Sequence, residues 1–294
     1  MKTFFFILCL LLLIPFPLNA MDRFFILGSG KIHFSQNGKT LEAQYRQGEN
    51  YDEKALKKIN AVYGSNFENP AERMSLRFLE VLSAIQAHFN NASIYIKSGY
   101  RSPNTNQKLR EQGKLAAQSS MHKEAAAADF YLEGVSAEAL RDYAQGLDCC
   151  GVGYYHGRHI HLDTGPKRWW DEKTSGTESK EPQENEKIIA MTQYDLYSPS
   201  EKISFDLARV TNFPIQIKSL GIQKIAPANV KQASIFFDLK QFSKKTFSSA
   251  SELKNIEIKP EKMPTGRYYI EINFSNSSWS KMPATIYSNE FEVR

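Results

Sequence analysis

Two histidines and an aspartate stand out as candidate metal ligands. His122 and Asp129 are seven positions apart in SSMHKEAAAADF (119–130), a stretch otherwise dominated by alanine. A second group lies downstream in GVGYYHGRHIHLDTG (151–165), where His159 and His161 are separated by one residue. On a strand, residues i and i+2 face the same side. HIH therefore presents two imidazoles together, with Ile160 turned to the core. Two close imidazoles repel when both are protonated, so a shared metal or a catalytic pairing accounts for them better than two solvent-facing strand histidines. His122, Asp129 and one imidazole of HIH make a His–Asp–His set. Three protein ligands with a position left for water is the pattern of a catalytic zinc site, whereas structural zinc usually closes with four ligands. Cys149 and Cys150 are adjacent and would point oppositely on a strand, so they supply no such closure. Adjacent cysteines rarely bridge each other, and no disulfide framework is expected. His33 and His88 read as structural, and His156 as part of a cleft rim.

These groups need a sheet and short helices to hold them. DEKALKKINAVYG (52–64) reads as a helix capped at Asp52 and ending at Gly64. PAERMSLRFLEVLSAIQAHF (70–89) carries helical apolar spacing after Pro70. ASIYIKSGY (92–100) alternates as a strand, NTNQKLREQGK is a short helix, and SAEALRDYAQGL (136–147) is a capped helix. FFILGSGKIHF (24–34) suggests two short strands around Gly-Ser-Gly, and GVGYY and HIHLDTG are strand-like. The pattern is α+β with a small antiparallel sheet.

The chain divides into four parts. Residues 1–20 have the layout of a signal peptide: Lys2, an apolar run from Phe4 to Ile14, and the small-residue end Leu18-Asn19-Ala20. This predicts export to the periplasm or cell envelope, with no stable membrane insertion after signal cleavage. Residues 21–170 form the domain just described. Residues 171–187, DEKTSGTESKEPQENEK, contain no hydrophobic side chain and read as a flexible linker. Residues 188–294 hold short runs of period two, such as KISFDLARV and GRYYIEINF, without histidine or cysteine. Their spacing predicts an all-β, immunoglobulin-like sandwich, an accessory domain for wall polymer or a protein partner. The formal net charge of +5 is mild and far from a nucleic-acid-binding profile.

The first domain resembles the M15 zinc peptidases, the D-alanyl-D-alanine carboxypeptidase and murein endopeptidase group that shares its fold with hedgehog domains. The family signature S-x-H-x-x-G-x-A-x-D is met by Ser120, His122, Ala125, Ala127 and Asp129. SGYRSPNTN (98–106) and GVGYY…HIHLDTGPKRWW are similar to the YcbK-like (DUF882) branch, and the resemblance spans roughly residues 23–170. It implies zinc (Zn2+) held by His122, Asp129 and His161, and cleavage of peptide cross-links in peptidoglycan stem peptides. A carboxypeptidase removing terminal D-alanine and a non-catalytic wall- or partner-binding protein are the alternatives. Three positions depart from the family pattern. Ala125 replaces the motif glycine. His159 replaces an apolar residue two before the last ligand. Arg158 stands where other branches carry a catalytic carboxylate. His159 is accordingly the candidate base or oxyanion stabiliser, Arg101 the candidate for a substrate carboxylate, and Ser120 a substrate contact or turn cap.

Overall fold

The structure is a computed structural model describing residues 22–114, 116–175, 182–225, 234–237, 245–260, 262–275 and 279–294. The expected signal peptide lies outside these residues. So does the 176–181 part of the expected linker.

Strands β1 (Lys31–Gln36) and β2 (Lys39–Gln44) form a hairpin closed by Asn37 and Gly38, both at positive φ. That backbone twist matches paired strands. The strand pair expected around Gly28-Ser29-Gly30 does not form. The amides of Gly28 and Ser29 donate instead to Glu80 Oε2 (2.8 Å) and Ser83 Oγ (3.1 Å), so side chains of the second helix take the place of a partner strand. Strands β3 (Arg46–Gln47) and β4 (Asn50–Tyr51) make a second small hairpin. Helix α1 (Glu53–Tyr63) starts where the Asp52 carboxylate accepts from the Lys54 and Ala55 amides, and ends at left-handed Gly64. Helix α2 (Leu76–His88) begins six residues after Pro70, and is capped by Ser75, whose side chain accepts from Phe78 N. The remaining elements are β5 (Ile94–Ser98), α3 (Pro103–Glu111), β6 (Ala127–Leu132), α4 (Ala137–Gly146), β7 (Gly151–Tyr154), β8 (Ile160–Asp163) and β9 (Arg168–Asp171).

Seven strands form one sheet in the order β2-β1-β5-β6-β8-β7-β9. It is mixed rather than purely antiparallel, because β1 pairs parallel with β5 and β7 with β9. The first parallel pair follows from the long crossover through α1 and α2. Leu56, Ile59 and Tyr63 of α1, Phe78, Leu82 and Ile85 of α2, and Leu140 of α4 join one buried core with the sheet. Cys149 and Cys150 form a disulfide with each other, contrary to expectation. Asp148, at φ 58°, turns the chain just ahead of the pair.

The second part contains β10 (Ile189–Thr192), β11 (Leu196–Tyr197), β12 (Ile203–Ala208), β13 (Ile215–Lys224), β14 (Ser234–Phe237), β15 (Thr246–Phe247), β16 (Ile256–Ile258), β17 (Gly266–Phe274), β18 (Thr285–Tyr287) and β19 (Phe291–Val293). One sheet runs β10-β12-β16, and another runs β11-β19-β17-β13-β14 with β15 and β18 at its side. Phe205 and Ile256 from the first sheet share a core with Ile217, Ile222, Ile270 and Phe291 from the second.

The two parts are docked. Arg77 of α2 pairs with Asp195 and donates to Thr192 O (2.9 Å). Met121, Ala126 and Ala127 pack against Ile189 and Met191 of β10. Lys254 Nζ lies 3.1 Å from Glu124 Oε2 and 3.5 Å from Asp206 Oδ2. Burial alone would lower the Lys254 pKa, but Glu124 and Asp206 outweigh it and raise it. A buried ion pair tolerates replacement of both partners but not the loss of one. Lys254→Ala should therefore destabilise the chain by about 3–5 kcal/mol. In urea unfolding, Glu124→Gln combined with Lys254→Met should lose less than Lys254→Ala alone. Equal losses would show that the charge pairing is not what holds this contact.

Candidate metal centre

Strand register brings the sequence-predicted ligands together. In the β6–β8 ladder Asp129 stands directly opposite His161. His122 arrives from the 3-10 turn Met121–Glu124 just before β6. The three side chains are buried, and one ligand atom from each lies within 4.8 Å of the others. His161 Nδ1 is 2.9 Å from Asp129 Oδ1 and 3.2 Å from His122 Nε2.

The outward ring nitrogens determine what these inward atoms are. His122 Nδ1 is 2.7 Å from the carbonyl oxygen of Gly99, which can only accept, so Nδ1 carries the proton. His161 Nε2 is 2.8 Å from Asp163 Oδ2, again an acceptor. In the neutral rings, His122 Nε2 and His161 Nδ1 are therefore both bare lone pairs, and they face each other and the Asp129 carboxylate. Three acceptors converging in a buried place call for a cation. The Asp163–His161 contact is the carboxylate–histidine arrangement that orients metal-ligating imidazoles, and Arg168 Nη2 holds Asp163 at 2.6 Å. The donor set thus fits zinc.

Electrostatics follow from the same contacts. Burial lowers the His122 pKa and keeps that ring neutral. Burial would raise the Asp129 carboxyl, but the two imidazoles beside it outweigh this and hold it well below the usual range. Burial would likewise lower His161, but hydrogen bonds to Asp129 and Asp163 raise it.

Gly99 is needed for this geometry. A Cβ there would come within 2.7 Å of Tyr63 O and Gln36 Oε1, so only glycine lets β5 pass close enough to offer its carbonyl to His122. Gly153 plays the same part on β7, where an added Cβ would strike the Trp170 indole.

The family is found by comparison. Residues 28–170 match the family described as peptidoglycan L,D-endopeptidase MepK. The Escherichia coli (strain K12) protein of that name is 30% identical over 135 residues, covering 45% of this chain and 74% of the relative. A probable peptidoglycan L,D-endopeptidase MepK from Haemophilus influenzae is 32% identical over 136 residues, covering 45% and 73%. This chain belongs to the M15 peptidase family. It falls in the MepK branch and is accordingly a peptidase of a metallopeptidase family. The matched region ends at Trp170, so the second β part lies beyond it. The solved sporulation control protein Spo0M of Bacillus subtilis aligns over 36% of this chain and 47% of its own with 9% identity and a TM-score of 0.16, too distant to inform the fold.

The M15 motif glycine has a conformational role here. Ala125 occupies its position at φ 50°, ψ 35°, in the left-handed region, and is fully buried. The constraint is backbone conformation rather than room beside His122. Its amide bonds to His122 O (3.3 Å), and its carbonyl accepts from Ser75 N (3.0 Å).

The other sequence-predicted residues divide. Arg101 Nη2 donates to Asp129 Oδ2 (2.8 Å) and Nε to Ser98 Oγ (2.9 Å), so this guanidinium braces a ligand carboxylate as well as lining the cleft. Ser120 accepts from His122 N (3.3 Å) as the cap of the 3-10 turn, and also lines the cleft. His159 stands just before β8, is not among the residues lining the cleft, and is half-buried and stacked on Tyr155 with ring centroids 4.9 Å apart. Burial, then Lys97, lowers its pKa. His156 bonds Asp171 at the exposed rim.

Sequence reasoning missed several cleft residues, Trp170 and Glu172 among them. Trp170 lines the cleft with its ring 4.8 Å from that of His161. Trp169 is 54% exposed. Glu172, within the expected linker, also lines the cleft, because β9 continues the sheet to Asp171 and Glu172 N bonds Tyr154 O (2.9 Å). The parallel pairing of β9 with β7 was the missing signal.

A β-branched residue at left-handed position 125 would be strained and overpacked. Ala125→Val should cost about 2 kcal/mol or more in urea unfolding. An unchanged midpoint would show that the turn before Asp129 is not conformationally constrained.

Proposed function

We propose that this chain is an exported, zinc-dependent peptidoglycan L,D-endopeptidase that opens peptide cross-links of murein. The carrying observation is the convergence of three buried acceptors, His122 Nε2, Asp129 Oδ1 and His161 Nδ1, inside an M15 peptidase domain. The names of the relatives supply the bond type. The hedgehog and D-Ala-D-Ala-peptidase fold for the first part, and an immunoglobulin-like sandwich for the second, belong to the same reading. The signal-like residues 1–20 support export. Among the described residues no helix is long and apolar enough to cross a membrane.

His122, Asp129 and His161 would hold the zinc. The ion supplies Lewis acidity and lowers the pKa of bound water to about 7. Asp163, fixed by Arg168, orients His161, and Arg101 braces Asp129. Hydrolysis needs a group that takes a proton from water and passes it to the leaving amine. His159 is our candidate for this group: it stands two residues before His161, and burial lowers its pKa, which favours the neutral ring. Burial, then Asp129, raises the Tyr155 pKa, so its hydroxyl stays protonated and can donate to a developing oxyanion. Ser120 and Arg101 line the cleft where a stem peptide would lie. A second assignment of the proton acceptor rests on Glu172, the cleft-lining carboxylate beside Tyr155 and His159.

Digestion of purified muropeptides, read by mass, tests the function. Cross-linked dimers should disappear, and a chelator or His122→Ala should abolish this with loss of bound zinc. Release of only a terminal alanine would indicate a carboxypeptidase. An unchanged profile in a zinc-loaded protein would indicate a non-catalytic binder.

Paired variants test the proton acceptor. His159→Ala should lower kcat about 10²–10⁴-fold with zinc content retained. If His159→Ala keeps near-normal turnover while Glu172→Gln loses it, the acceptor is Glu172.

A further inference from the structure

The cleft in front of the candidate metal centre is not built by the peptidase domain alone. Its cavity of about 360 Å³ is lined by His122, His161, Tyr155 and Trp170, and also by Lys187 and Arg209, which lie beyond the family match. Arg209 follows the last residue of β12 at φ 60°, a position that must be held from outside. Its amide donates to Glu124 Oε1 (2.8 Å), and its Nε and Nη2 donate to Ser119 O (3.0 Å) and Ser119 Oγ (3.2 Å). A guanidinium from the second part is thus seated one residue before Ser120 and three before His122.

The second part cannot easily withdraw this group. Arg209 binds the same carboxylate that Lys254 pairs with, and Met121, Ala126 and Ala127 rest on Ile189 and Met191 of β10. Apolar burial and a buried ion pair act together on the 3-10 turn that carries His122.

The charge of the wall points to its ligand. Arg101 and Arg168 also line the cleft and pair with Asp129 and Asp163, and the Arg209 guanidinium is itself held by Ser119. Lys187 and Arg209 add two further positive charges, against one from Glu172. A positive, partly enclosed wall selects an anionic partner, and guanidinium matches a carboxylate by shape as well as charge.

We infer that the second part completes the substrate cleft, and that Arg209 and Lys187 recognise a free carboxylate on the peptide being cut. This deepens the endopeptidase reading and rests on it. It makes the β part a determinant of substrate choice, rather than only an accessory that reaches the wall.

The test uses the full-length chain and two synthetic cross-linked stem peptides, identical except that the carboxylates flanking the scissile bond are free in one and amidated in the other. The readout is the ratio of kcat/KM for the free over the amidated probe. The original chain should favour the free carboxylate. Arg209→Gln should cut the ratio about tenfold, mainly through KM, as expected for one charge-assisted contact. Lys187→Gln should cut it by a smaller factor and keeps the test open if Arg209→Gln fails to fold. A ratio that is the same in the original chain and the folded variants overturns the inference, as does a preference for the amidated probe. If the original chain cuts neither probe, it is the endopeptidase reading that fails. Equilibrium titration with the free-carboxylate probe then decides the recognition alone: about tenfold weaker binding by Arg209→Gln supports it, and equal binding overturns it.

Discussion

Three acceptors that face one another without a donor are the constraint around which this molecule is organised. His122 Nε2, His161 Nδ1 and Asp129 Oδ1 are all buried. Such a cluster repels itself unless a cation or a shared proton sits within it. The surrounding structure enforces the arrangement instead of relaxing it. Gly99 and Asp163 take the protons of the outer ring nitrogens, and Arg168 and Arg101 hold the carboxylates in place. The braces come from two stretches of chain, 99–101 and 163–168. The site is therefore a property of the whole sheet, and a cation site is the physical explanation that requires no unpaired group.

The weakest local element is the turn that delivers His122. It is one 3-10 turn, and it leaves through Ala125 in a conformation that favours glycine. Such a turn has little stability of its own. Its order comes from contacts on both sides. Ser75 N and Arg101 N bond to the carbonyls of Ala125 and His122 from the peptidase side. Met121 and Glu124 face the β part, where an apolar strand and Lys254 meet them. Metal-ligand placement and domain docking are then two readings of one set of contacts.

Much of this was legible in the sequence, and the boundary is physical. Helices α1 and α4 announced themselves through Asp52 and Ser136 caps and apolar spacing, both local signals. The convergence of His122, Asp129 and His161 was legible because ligand chemistry restricts residue type. Long-range pairing was not legible. Parallel pairing of β9 with β7 places Trp170 and Glu172 in the cleft, and nothing within 168–175 signals a strand partner in 151–154. The backbone capture of Gly28 and Ser29 by α2 was hidden for the same reason. The Cys149–Cys150 bridge was missed because a general rarity was applied to a pair whose surroundings only the fold reveals.

Composition and surface answer different questions about the two parts. A polar segment between an enzyme-like half and a β half suggests independent units joined by a tether. A tether, however, does not determine whether the units bind each other. What determines it is surface, and the peptidase half carries an apolar patch, Met121 with Ala126 and Ala127, directly under its metal turn. Left in water, that patch would cost about 25 cal/mol for each square ångström exposed. It would also free the turn to sample other conformations. Covering it with β10 removes both penalties, and the same docking carries Arg209 to the cleft wall. The cleft beside His122 and His161 is lined by residues of both halves.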